Sequence, residues 1–316
     1  MTNLKIAISP DFFKDESKEL IVSSDTKKLW SVLLDLYAEF KRVCDENGLR
    51  YFADSGTMIG ALRHEGFIPW DDDIDLLMFR EDYERLCRIA PTAFKHPYFW
   101  QTNFSDPGSC RGHAQLRNSE TTGMLKSEMR DGKSIYKFNQ GIFIDIFQLD
   151  KVPNALEERD TFCREIQKQR NKIAYLKHLL LDFRVTKRDL ISPAFYVRVV
   201  RYVWYRILKS VFGCDVMESA YRKLEVMAQR YNNADTDFCA PIEFRPTRRP
   251  REFYAISGFN RSRIVKFEML EIPVPENAEE MLTGQYGDWH KHVVGGSAHG
   301  GLFIDLNKSY KEYLPK

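Results

Sequence analysis

The chain reads as an α+β protein, with short strands and helices interleaved up to Pro153 and helices dominating after it. Three observations carry this expectation. Leu29, Val32, Leu33, Leu36, Tyr37, Phe40 and Val43 recur at helical spacing, the mark of an amphipathic helix. Brief β-rich runs bounded by turn residues follow, among them Tyr51-Phe52-Ala53, Tyr98-Phe99-Trp100-Gln101 and Ala114-Gln115-Leu116-Arg117. Long helical patterns then cover 156–181, 192–213 and 217–231.

Taken in order, Asp25 is a suitable N-cap for the first helix and Gly48 a suitable stop. Ser55-Gly56-Thr57 reads as a turn, Met58 to Arg63 as a short helix, and Asp73 to Phe79 as a strand. Glu81 to Ala90 is helical. The polar, glycine-interrupted stretch 118–139 reads as a mobile loop or hairpin, and 141–147 as a central strand. Strands are expected around 238–241 and 264–274, and a last helix over 277–283. The simplest division is a catalytic core over 1–152 and a mainly helical region over 153–316, packed on the core and contributing to the acceptor side.

Composition narrows the class. The 316 residues are 43% hydrophobic and 29% charged with a formal charge of +2, ordinary for a globular protein. No strong global field draws it to nucleic acid. The six cysteines contain no Cys-x-x-Cys pair, which speaks against a local zinc knuckle and for reduced thiols in the cytoplasm. No stretch reaches bilayer-spanning length.

The chemistry concentrates between Tyr51 and Arg80. Asp73 and Asp75, two apart on a strand, project from one face. Without a cation they would repel, and a hard divalent ion resolves that conflict. Asp145, flanked by Ile144 and Ile146, reads as a third acid on a central strand, where an unpaired charge is costly. Either Asp145 pairs with an arginine such as Arg117, or Asp73, Asp75 and Asp145 converge on a metal pair, the layout of in-line phosphoryl displacement. The second reading makes these three both catalytic residues and metal ligands, with two Mg2+ (or Mn2+) ions.

Ser55, Gly56 and Thr57 offer a turn beside a helix N-terminus, where phosphate binds well. Arg63, His64, Arg117 and Lys126 can neutralise phosphate charge, and Trp70 can stack on a base or face a cationic head group. Tyr51, Trp100 and Trp289 are further aromatics that such a head group could use, and His64 and His299 are base candidates. Each also has a purely structural reading as a packed or surface side chain.

Ser55-Gly56-Thr57, Gly60 to His64, and Gly66-Phe67-Ile68-Pro69-Trp70-Asp71-Asp72-Asp73-Ile74-Asp75 resemble the signature of the LicD-type phosphotransferase family. That family includes phosphorylcholine transferases and the fukutin-related sugar phosphotransferases. Gly141 to Pro153 looks like its second block and Tyr286-Gly287-Asp288-Trp289 like its third, whereas Val293 to Gly296 departs from relatives. The resemblance implies a nucleotidyltransferase-type mixed β-sheet with flanking helices and a largely helical C-terminal part. It implies that Asp73 and Asp75 are paired metal ligands, Asp145 the third acid, and Ser55-Gly56 the phosphate-side turn. It also implies transfer of phosphocholine or a similar phospho-alcohol from a CDP-linked donor, such as CDP-choline, to a glycan or lipid-linked glycan hydroxyl. CMP is released and lipopolysaccharide, capsule or teichoic acid is modified. The alternatives are nucleotidyl transfer from a nucleoside triphosphate and a non-catalytic glycan- or membrane-binding module.

One helix bears on location. Over 195–212, Arg198, Arg201, Arg206 and Lys209 take one face and Val199, Val200, Val203, Trp204, Ile207, Leu208 and Val211 the other. The simpler expectation packs the apolar face on the core. The alternative lays it on the inner face of a membrane.

Overall fold

The computed structural model describes residues 4–14, 22–109, 111–183, 185, 192–246, 252–293 and 301–315. Its first long element, α1 (Ser24–Asn47), buries the apolar stripe from Leu29 to Val43. The cap is Ser23 rather than Asp25: Ser23 Oγ accepts from the Thr26 amide at 3.1 Å. Asp25 falls inside the first turn, where its charge suits the helix dipole. Gly48 closes the helix in the left-handed conformation at φ 59°.

The main sheet is mixed and is built around one long strand. Its elements are β1 (Phe52–Ala53), β2 (Asp75–Phe79), β3 (Tyr98–Gln101), β4 (Ala114–Asn118) and β8 (Ile142–Val152). They lie in the order β1-β2-β8-β4-β3, with β2 and β8 parallel and the other neighbours antiparallel. The strand expected over 141–147 therefore continues to Val152, because its second half pairs with β9 (Phe238–Ala240), which in turn pairs with β10 (Tyr254–Ala255). The turn expected at 55–57 is instead the first turn of α2 (Ser55–His64), and β2 is followed directly by α3 (Arg80–Ala93).

Of the mobile loop or hairpin expected over 118–139, the structure shows the hairpin and a further strand. This stretch holds β5 (Thr122–Leu125) and a small hairpin of β6 (Met129–Arg130) and β7 (Lys133–Ser134). Thr121, Thr122, Ser134, Asn139 and Gln140 are buried and hydrogen-bonded. Part of its polarity serves this internal hydrogen-bond network, while Glu120, Lys126, Ser127, Asp131, Lys133 and Lys137 face solvent.

After β8 come α4 (Leu156–Leu181), α5 (Pro193–Phe212) and α6 (Val216–Ala228). The single strand expected over 264–274 is a hairpin of β11 (Ser262–Phe267) and β12 (Leu270–Pro275), turned at Glu268 in the left-handed region. Then follow α7 (Ala278–Tyr286) and β13 (Leu302–Asp305), which pairs with β5. The principal apolar core draws on α1, the sheet, and Tyr254, Phe259, Phe267, Ile272, Val274 and Leu282. A second cluster joins α4 and α6 to Val152, Ala240 and Phe253. Residues beyond 238 thus complete the core around the sheet as well as following the helices.

Candidate active site

The strand register lines up a polar row across the sheet. Asp75 on β2 pairs with Asp145 on β8, Asp145 with Gln115 on β4, and Gln115 with Gln101 on β3. At the other end the Asp54 amide donates to the Asp75 carbonyl at 3.0 Å. Neighbours in register share a face of the sheet, so Asp75 and Asp145 meet from adjoining strands, and Asp54, just past β1 at the start of α2, joins them. The residues next to them in β2 and β8, including Ile74, Leu76, Ile144 and Ile146, fill the core instead.

Asp73 enters the row from the segment just before β2. Asp71, Asp72 and Asp73 place their ligand oxygens within 4.8 Å of one another, and all three keep partial solvent access. Burial and the carboxylate of Asp73 push the Asp71 pKa up to about 8. Asp75 is raised well above the usual carboxylate range, first by burial and then by Asp73, Asp145 and Asp54. Trp30 Nε1 holds this loop through the Asp71 carbonyl at 2.9 Å. Thr57 Oγ1 accepts from the Asp75 amide at 2.9 Å and fixes where β2 begins.

Carboxylate oxygens gathered this closely are ligands of the type a hard divalent ion takes. Arg245 lies beside them, yet its guanidinium donates to Asp54 at 2.6 Å, as the Tyr254 hydroxyl does at 2.8 Å. The donor set of Asp71, Asp72, Asp73, Asp75 and Asp145 therefore fits Mg2+ or Mn2+ on its chemistry.

The remaining expected site residues fall into two groups. Ser55, Gly56 and Trp70 are close to the acids or their rim. Ser55 has φ 47°, a left-handed conformation that costs energy outside glycine, and its side chain faces Tyr286. A Cβ at Gly56 would stand 2.8 Å from Asp71 Oδ2 and so would displace that carboxylate. Gly60 is a packing glycine, since its Cβ would meet the Gly66 carbonyl oxygen at 2.4 Å. Trp70 and His64 both lie against His292, at ring distances of 6.3 and 5.3 Å. Arg63 clasps the third sequence block onto α2, donating to the carbonyls of Trp289 at 2.6 Å and Lys291 at 3.0 Å.

Arg117 behaves differently. It is 1% exposed and donates to Gln101 Oε1, the Gly141 carbonyl and Gln115 Oε1. It braces Gln115, which donates to Asp145 at 2.6 Å, and so acts on the row from beneath. Tyr51 and Trp100 sit in separate parts of the core: Tyr51 meets Tyr37, and Trp100 stacks on Phe94. Lys126 follows β5, where its amide donates to the Gly301 carbonyl. His299 and Val294 to Gly296 lie outside the described residues, as does Cys110.

Four residues of the site were not singled out from the sequence. His113 Nε2 lies 2.9 Å from Asp145 Oδ1, with its ring between Phe147 and Phe244 at 4.6 and 4.8 Å. Burial lowers its pKa despite the neighbouring acid, and the tautomer with its proton on Nε2 donates to Asp145. The alternation His113, Gln115, Arg117 against Ala114 and Leu116 was a readable signal. Asp54, Arg245 and Tyr254 had none, because their meeting spans 191 and 200 residues of sequence separation.

The fold and the site define an α+β protein that gathers acids from adjoining strands on one face of a mixed sheet. Residues 48–187 match the family model described as LicD/FKTN/FKRP, nucleotidyltransferase domain. That span contains Asp54, the 71–75 acids, His113 and Asp145. The chain is 23% identical over 271 residues to a lipopolysaccharide cholinephosphotransferase, LicD, of Haemophilus influenzae, covering 82% of this chain and 89% of that protein. Over 40 residues it is 45% identical to the human ribitol 5-phosphate transferase FKRP, covering 13% of this chain and 8% of that protein. An uncharacterised protein of Rickettsia prowazekii is 39% identical over 59 residues, 19% of this chain and 22% of its own length. The family-model match over 48–187 and the similarity to LicD support a LicD-type transferase.

Proposed function

We propose that the protein transfers a phospho-alcohol, phosphocholine or a close analogue, from a CDP-linked donor to a hydroxyl of a cell-surface glycan or its lipid-linked precursor. The row Asp54–Asp75–Asp145, with Asp73 beside it, carries this reading. The relatives named as cholinephosphotransferase and ribitol 5-phosphate transferase support the class of group moved. The family model's description supports a nucleotidyltransferase-type sheet. Free thiols at the five described cysteines go with a cytoplasmic location.

Asp73, Asp75 and Asp145, joined by Asp71 and Asp72, would hold Mg2+ or Mn2+. Bound there, the ions supply charge neutralisation at the donor diphosphate and lower the pKa of the acceptor hydroxyl. The acceptor oxygen attacks the phosphorus that carries the alcohol, and the bond from that phosphorus to the CMP oxygen breaks. The acceptor proton passes to Asp145, which His113 and Gln115 hold in place. Arg245, neutralising Asp54, keeps the inner end of the row from adding a further free charge. Ser55 and the first turn of α2 offer backbone amides toward the donor phosphates.

The test is CMP release with CDP-choline, CDP-ribitol and CDP-glycerol, each with Mg2+ and a glycan acceptor. Release from one of them supports the reading and names the alcohol. Pyrophosphate release from a nucleoside triphosphate instead would establish nucleotidyl transfer, which the family model's description also favours.

A further inference from the structure

Helix α5 leaves one apolar stripe facing away from the protein. Tyr196, Val200, Val203, Trp204, Ile207 and Val211 form one stripe at helical spacing, and each is between 40% and 68% exposed. Only Phe195 of this helix is buried. The packed side carries Phe195, Val199, Tyr202, Tyr205 and Leu208, buried or half-buried, together with Arg198. Arg198 lies over the rings of Phe183 and Phe195 at 4.9 and 5.6 Å, Arg201 donates to the Tyr175 hydroxyl at 3.3 Å, and Lys209 pairs with Asp215 at 2.7 Å. Burying apolar surface is what ordinarily holds a surface helix on its core, and a second, exposed apolar stripe beside that packed side marks an interaction surface.

We infer that α5 is a membrane-surface anchor that lays this stripe into an anionic lipid leaflet. Charge selects the occupant. Residues 193–212 hold four cations, Arg198, Arg201, Arg206 and Lys209, and no acid, while the whole chain carries only +2. Arg201 and Arg206 flank the stripe on its two sides and are exposed, placed to reach lipid phosphates while Trp204 and the valines enter the acyl boundary. A second copy docked by two-fold symmetry would set these cations against their own counterparts, which an anionic surface avoids. No described helix is long and apolar enough to cross a membrane, so α5 lies on the leaflet. Under the proposed reaction the anchor would present the acid row to a lipid-linked acceptor, although binding to lipid does not depend on that reading.

Co-sedimentation tests the anchor on the full chain, using vesicles of phosphatidylcholine alone and with about one third phosphatidylglycerol. Wild type is expected to sediment with the anionic vesicles and to be released by salt. Val200→Glu/Trp204→Glu should weaken partitioning by at least about tenfold, with an unchanged Tm because both sites are exposed. Arg201→Gln/Arg206→Gln leaves the stripe intact and should reduce binding and its salt dependence. The inference is overturned if wild type ignores anionic vesicles or if both variants bind as wild type does. It is equally overturned if the stripe instead holds a dimer in sedimentation velocity that Val200→Glu/Trp204→Glu dissolves.

Discussion

At the scale of single residues, the acids differ by what surrounds them. Asp54 is buried and answered by Arg245 and Tyr254, whereas Asp75 is crowded by other carboxylates. Asp75→Asn removes a charge that the proposed chemistry uses while keeping the shape of the side chain. Turnover is expected to vanish with the Tm unchanged or higher, since a like-charge conflict is relieved; near-wild-type CMP release would remove Asp75 from the site. His113 is a positioning residue. His113→Phe should lower kcat by about 10–100-fold through Asp145, with partial rescue by His113→Gln, whose amide can donate in the same place. A variant pair with equal activities would show that His113 only fills space. The paired acids and the glycine before them were legible in the sequence because their spacing is local. His113 was legible only through strand alternation, and Arg117 looked like a phosphate ligand because an arginine's burial is not a local property.

At the scale of elements, one buried ion cluster ties the helical half to the sheet. Arg80, at the start of α3, donates to both oxygens of Asp150 on β8 at 2.9 and 2.5 Å and to Glu243 at 2.6 Å. All three side chains are almost fully buried. Arg80→Met would leave two acids buried without their cation, a loss of about 3–5 kcal/mol, read as a lower urea midpoint with unchanged slope. A loss under about 1 kcal/mol would mean that the acids simply take up protons. Asp150 escaped the sequence reading because the strand was ended at 147. The extension to Val152 depends on β9, which lies some ninety residues downstream in the chain. Likewise the 118–139 stretch has strand structure because β13, from the far end of the chain, pairs with β5.

At the scale of the whole molecule, stability should carry a pH signature from Glu225, whose pKa burial and Glu243 raise to about 7. The folded form then holds a proton that the unfolded chain releases near pH 4.5. Its contribution is present at low pH and is lost as pH rises from about 4.5 through 7. Glu225→Gln should flatten the fall in Tm between those values; an unchanged profile would place the titration elsewhere. Mg2+ with CDP is expected to raise the Tm by several degrees at saturation, and to do so less in Asp73→Asn. No shift would favour a binding module over an enzyme. Legible in the sequence by itself were the mixed helix-and-strand class, the resemblance to the LicD-type family, the helices and the candidate acids at 73, 75 and 145, since periodicity, caps and motif spacing are properties of neighbouring residues. Tertiary structure alone decided that Asp54 joins the row, that Arg117 is a brace, and that α5 leaves an apolar stripe exposed. Each of those depends on which surface a residue meets after the chain has closed on itself, and local sequence does not encode that.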